Sequence, residues 1–189
     1  RTLPCRHSAP RRQAAMSRDT SAISIEALRH QDLPAALNIQ REAYPPFLVE
    51  DEAAFLSRIN LAASYCFAAK REGALLGYLL AHGWKRQSPP ALGALLADGV
   101  PSEVLFIHDL AVSPASRGLG VGQKLIARAF QLAAQDGLRS AELIAVEGAA
   151  NYWRQFGFVE AAVSEALSEK LGTYGSLARW MTREITPDR

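Results

Sequence analysis

Cysteine is scarce in this 189-residue chain, and its first 18 positions hold no acidic residue. The two cysteines, Cys5 and Cys66, have neither metal-ligand spacing nor the density of a disulfide framework. No metal is expected, and a reducing cytoplasm is the default compartment. Long apolar runs are missing too: none approaches the ~18 residues of a membrane-spanning helix. There is no internal repeat and no acidic run of the kind that attracts polycations. Even the positive charge is local. The formal charge is +2, but Arg1, Arg6, Arg11, Arg12 and Arg18 supply five of the 21 basic residues. Without them 16 basic residues face 19 acidic ones, about −3, which gives no argument for nucleic acid.

The start of the chain, RTLPCRHSAPRRQAAM, lacks an apolar core segment and so does not read as a secretory signal. An Arg-rich, acid-poor stretch also fits a transit peptide. Met16 is a natural start, so residues 1–18 are read as a basic tail outside the fold and 19–186 as one domain. With 49% hydrophobic residues, that length supports a single well-buried core.

Strands are expected at 23–28, 64–70 and 74–84, the last two joined by the Arg71-Glu72-Gly73 turn, then at 103–113, 140–146, from Phe158 onward and at 174–185. Helices are expected from Asp32, a candidate N-cap, to Tyr44, then over 51–61, 121–135 and 149–156. The 85–102 connection is long enough to be functional, with a helical turn expected at 91–97. The order is mixed α/β: six to seven strands and about four helices.

One motif dominates. After the 103–113 strand, Arg117-Gly118-Leu119-Gly120-Val121-Gly122 runs into a helix. Alternating glycines let the backbone turn sharply and approach a ligand closely. The free N–H groups of a helix start suit a diphosphate, and Arg117 adds a charge. A P-loop needs glycine immediately before Lys124, where this chain has Gln123. A dinucleotide GxGxxG motif fails at Gln123 or, one frame later, at Leu125.

Arg117-x-x-Gly120-x-Gly122, preceded by Leu110-Ala111-Val112-Ser113-Pro114, resembles the acetyl-CoA motif of the GNAT superfamily of N-acetyltransferases. Asn151-Tyr152-Trp153-Arg154-Gln155-Phe156-Gly157-Phe158 resembles that superfamily's later motif. The resemblance spans roughly residues 22–185. It implies a mixed sheet splayed around acetyl-CoA. Backbone of Leu110, Ala111 and Val112 would hold the pantetheine arm, backbone of residues 117–122 the pyrophosphate, and Asn151 and Trp153 would lie beside the arm. Phe106-Ile107-His108-Asp109-Leu110-Ala111-Val112 is similar to a strand of the serotonin-type (arylalkylamine) N-acetyltransferases, with Phe106 in place of their first histidine.

Amine acetylation needs a base and a donor to the thioester carbonyl; the thiolate can leave with a proton from an acid or without one. An imidazole is the side chain suited to proton transfer near neutral pH, which makes His108 the candidate base; a hydrogen-bonded core histidine is the competing reading. Alternation puts Phe106, His108, Leu110 and Val112 on one face and Leu105, Ile107, Asp109 and Ala111 on the other, so His108 and Asp109 share the acceptor side only at a bulge. Asp109 is read chiefly as an ordering residue. Where relatives carry a tyrosine, four residues before Gly157, this chain has Trp153, which has no proton to give. Tyr152 and Tyr174 are the candidate phenols. Tyr44, Phe47, Trp84 and Tyr174 are expected to wall a pocket for a small-molecule amine with an apolar body. The enzyme is expected to be a monomer or homodimer. The alternative is a catalytically weak module that binds or senses acyl-CoA.

Overall fold

The computed structural model describes residues 22–187. The basic tail and the Met16 start lie outside the described residues. Seven strands form one sheet: β1 (Ser24–Ala27), β2 (Phe67–Arg71), β3 (Ala74–Trp84), β4 (Val104–Val112), β5 (Ser140–Ala145), β6 (Val159–Glu160) and β7 (Arg179–Glu184). Their spatial order is β1-β2-β3-β4-β5-β7-β6. All neighbours are antiparallel except β4 and β5. A parallel pair needs a crossover, and α3 (Val121–Gln135) supplies it. Leu125, Ile126, Ala129 and Ala133 on its buried stripe pack with Leu79, Leu105 and Leu143 on one side of the sheet. The other side packs Tyr78, Leu80 and Ala111 against α1 (Leu33–Ala43) and α2 (Glu52–Ile59).

Local chemistry sets the ends of these helices. Asp51 Oδ1 accepts from Ala54 N at 2.9 Å and caps α2, which enters where the sequence places it. Asp32 precedes α1 as expected, but its carboxylate does not cap the helix. It accepts from Arg29 N and pairs with buried Lys70 at 2.8 Å instead. Two expectations are corrected. The 91–97 segment is a single hydrogen-bonded turn, Ala94 N to Ala91 O, because Gly93 takes a left-handed φ of +73°, which a right-handed helix does not continue through. The chain from Phe158 to Ile185 is not all strand. After α4 (Ala150–Arg154) and the short β6, it holds a fifth helix, α5 (Glu165–Gly172), which Ser164 caps by accepting from Leu167 N. Tyr174 therefore sits in the connection ahead of β7, not on a strand. No helix among the described residues is long and apolar enough to cross a membrane.

Candidate active site

The sheet opens at its centre. β4 and β5 pair only over 105–107 and 141–143. Beyond that, β4 stays with β3 up to Val112, while β5 stays with β7 to Ala145. The β5-facing edge of β4 therefore has no strand partner past Ile107. Leu110 O on that edge accepts from Tyr44 OH at 2.9 Å. A groove of about 600 Å³ and a cleft of about 250 Å³ meet at this gap, and Tyr44, Leu110 and Tyr152 line both.

The groove runs from the free edge of β4 to the start of α3, lined by Leu110, Ala111, Val112, Arg117, Gly118, Gly120, Val121 and Gly122. Gly118 and Gly120 hold φ of +82° and +71°, a region that a side chain would strain. The N–H groups of Gly118, Gly120, Val121 and Gly122 donate to no backbone carbonyl among the described residues. That leaves a nest of donors at the positive end of a 15-residue helix. At Gly122 a Cβ would meet Tyr152 OH at 2.3 Å, so only glycine lets the phenol lie over the helix start. Leu119 does not line the groove: its side chain is exposed and its N–H donates to Ser116 O. An extended arm ending in a diphosphate fits this arrangement: strand-edge groups for its amides and helix-start donors for its anion. Gly120→Val is expected to weaken CoA at least about tenfold, or about 1.4 kcal/mol, in a calorimetric titration. Unchanged affinity in a folded variant would remove the assignment.

The cleft begins at a β-bulge. Leu80 pairs with Asp109 and Ala81 with Ile107, leaving His108 as the extra residue on β4. A bulge reverses the alternation beyond it. Leu105 and Ile107 face the α3-side core, and so do Leu110 and Val112, while Ala111 joins Tyr78 on the opposite side. The two-face division expected from strict alternation is corrected accordingly. His108 and Asp109 both line the cleft.

Each is held differently. His108 Nε2 is hydrogen-bonded to Glu50 Oε1. The other carboxylate oxygen, Oε2, accepts from Gly93 N at 2.6 Å and pairs with Arg58 at 3.1 Å. Gln40 fixes the backbone of Glu50 by donating to its O and accepting from its N, both at 2.9 Å. Burial alone would raise the Glu50 carboxyl. The hydrogen bond and charge of His108, the Arg58 guanidinium and the Gly93 N–H outweigh that and lower it. Glu50 thus stays ionised and orients the imidazole. His108 Nδ1 has no hydrogen-bond partner among the described residues, and the side chain, 3% exposed, lines the cleft. Asp109 instead accepts from Tyr78 OH at 2.5 Å. Burial raises its pKa against the opposing hydrogen bond of Tyr78.

The remaining candidates separate. Tyr152 and Tyr174 line the cleft. Tyr174 OH donates to Pro90 O at 2.9 Å, so its proton is engaged. Tyr152 OH has no hydrogen-bond partner among the described residues, and burial raises its pKa, which keeps it protonated. Trp153 turns into the core against Phe156 and Phe158 and reaches the cleft, not the groove. Asn151 lines neither cavity; its side chain takes a hydrogen bond from Arg154. Trp84 and Phe47 are absent from the cleft wall. Trp84 donates to Ser88 O and packs beside Phe106 and Trp180, and Phe47 lies exposed near Gly175. Glu50, Arg58 and Gln40 carry no local sequence signal. Among the described residues no three His, Cys, Asp or Glu side chains group as a metal-ligand set.

Similarity to known proteins follows this geometry. The chain aligns over 87% of its length with Ard1 from Thermoplasma volcanium, covering 99% of that chain at 17% identity and a TM-score of 0.66. It aligns over 89% with the ribosomal-protein-S18-alanine N-acetyltransferase from Escherichia coli, covering 97% of that chain at 18% identity and a TM-score of 0.64. It also matches N-acetylglutamate synthase from Neisseria gonorrhoeae, complexed with coenzyme A and N-acetyl-glutamate, over 88% of this chain and 36% of that one, at 15% identity and a TM-score of 0.65. At these identities the likeness shows the fold. No curated protein sequence matches the chain. The model of the Acetyltransferase (GNAT) family matches residues 33–158, a span containing both the glycine loop and His108, and the chain therefore belongs to that family of acetyl-CoA-dependent acyltransferases.

Proposed function

We propose that the protein transfers the acetyl group of acetyl-CoA to the primary amine of a small molecule, by direct attack in a ternary complex. The observation that carries this is the imidazole of His108, placed by the bulge where the sheet opens and held on an ionised Glu50. Acetyl-CoA supplies a thioester acetyl group, held by the edge of β4 and the 117–122 loop. An alkylammonium has a pKa near ~10 and must lose a proton before it can attack. His108 Nδ1 takes that proton, directly or through a water, and Glu50 stabilises the resulting imidazolium. As the new N–C bond forms and the C–S bond breaks, Tyr152 gives its proton to the leaving sulfur. Asp109, bonded to Tyr78, orders the floor of the cleft.

A covalent route is disfavoured. Cys66 is buried and donates to Ala81 O at 3.4 Å, away from both cavities. A reducing cytoplasmic setting is part of the same proposal, on the scarcity of cysteine in the sequence. The reading of a catalytically weak module rested on Trp153, and the free phenol of Tyr152 supports turnover over it. The similarity of the 106–112 strand to arylalkylamine enzymes makes aryl- and alkylamines the first acceptors to test. Release of CoA thiol with a panel of amines tests the proposal; no release with any member would overturn it. Tyr152→Phe is expected to lower kcat by about tenfold or more and to remove the basic limb of the pH–rate profile, with KM for acetyl-CoA little changed. Tyr174→Phe is expected to leave that limb in place.

A further inference from the structure

Three segments far apart in sequence meet over the acceptor end of the cleft. They are the 46–48 turn after α1, the 88–93 stretch of the long connection, and residues 174–178 between α5 and β7. Leu48, Tyr174 and Ala178 form a buried cluster, with Leu92 packed against it. Two hydrogen bonds tie the segments together: Tyr174 OH to Pro90 O at 2.9 Å, and Gly93 N to Glu50 Oε2 at 2.6 Å. The cleft beneath is about 250 Å³, below the usual range for ligand pockets of ~300–1,000 Å³.

The charges lining this cleft are of one kind. Among the described residues, Glu50, Asp109 and Glu147 are its acids, His108 is its only base, and neither lysine nor arginine lines it. The Arg58 guanidinium behind Glu50 is fully buried and already committed to Glu50 and to Ala54 O. Glu147 has no hydrogen bond or ion pair among the described residues and holds a φ of +49°. A carboxylate drawn into this cleft would lose its water and meet acids, with no cation to replace the lost solvation. A peptide N-terminus would need an exit for the chain behind it, and the Leu48–Leu92–Tyr174 clamp closes that end.

Building on the acetyl-transfer reading above, we infer that the acceptor is a compact primary amine bearing no carboxylate or phosphate, and that Tyr174 is the residue limiting its length. α-Amino acids and peptide N-termini are excluded by the same walls, the first by charge and the second by the clamp.

The test is equilibrium binding to the CoA-loaded protein, measured by calorimetry alongside turnover. 2-Phenylethylamine and phenylalanine share one skeleton without and with the carboxylate, and phenylalanyl-alanine amide carries the chain of a peptide. The amine is expected to bind at least about 10²-fold more tightly than either. Tyr174→Ala should narrow the gap for the dipeptide amide but not for phenylalanine. Tyr174→Phe, which keeps the ring, should lie between Tyr174→Ala and the parent. CoA affinity in each variant reports that the fold is intact. Equal or tighter binding of phenylalanine or the dipeptide amide overturns the inference, and so does failure of all three to bind. If the amine preference holds but no thiol is released, the acetyl-transfer reading falls and the description of the cleft stands.

Discussion

His108→Ala is expected to lower kcat/KM for the best amine by about 10²-fold, the size typical of losing a general base. The direction follows from Glu50, which occupies Nε2 and leaves Nδ1 as the nitrogen without a hydrogen-bond partner among the described residues. The loss should be accompanied by disappearance of the acidic limb of the pH–rate profile, since a protonated imidazole cannot accept the ammonium proton. KM for acetyl-CoA should barely move, because the groove and its helix-start donors lie on the other side of the gap. Glu50→Gln should give a smaller loss and a shifted limb: the amide can still hydrogen-bond the imidazole, but it cannot stabilise the imidazolium by charge. Full rate with an unchanged profile in His108→Ala would place the base elsewhere. Asp109, or a water on backbone carbonyls, would then be the better candidate.

The parts of this site built from local chemistry were readable in the sequence. The glycine loop is read by its own backbone demands, and the structure places it between β4 and α3, where those demands are met. The bulge at His108 was not readable. A period of two says which residues alternate but not where one is inserted, because insertion depends on the register of β3, 27 positions earlier at Ala81. Glu50 was missed for a related reason. It lies between a turn and α2, with no motif around it, and meets His108 across 58 positions of chain. Arg58 sits on a helix face that would normally be solvated, and only the buried carboxylate explains why it is fully buried. The fifth helix was legible in principle: Ser164 stands where an N-cap belongs, and Leu167 and Leu171 are four apart. Aromatic content misdirected the acceptor wall. Trp84 has an indole N–H to satisfy, and the Ser88 carbonyl satisfies it outside the cleft.

Glu50→Ala is expected to be the most destabilising single change in the site. Arg58 is 0% exposed and Glu50 4% exposed in their side chains. Removing the carboxylate leaves a buried guanidinium with only Ala54 O, at 2.6 Å, among the described residues, where its Nε already lacks a partner. Breaking such a pair costs about 3–5 kcal/mol. For a domain of this size that is a fall in Tm of roughly 6–20 °C. It also frees Gly93 N–H and His108 Nε2, so the loop and the base are released together. The carboxyl is held below the ordinary range in the folded protein, so its contribution is full above the unfolded pKa of ~4.3 and is lost as pH falls through the folded value. Glu50→Gln should therefore flatten the acid side of the stability curve. The double variant Glu50→Leu/Arg58→Met separates the two roles of the carboxylate. Removing both charges together should recover most of the lost Tm, yet leave kcat/KM depressed, because nothing then orients His108. Recovery of rate along with Tm would show that Glu50 acts on stability alone and that the imidazole needs no partner.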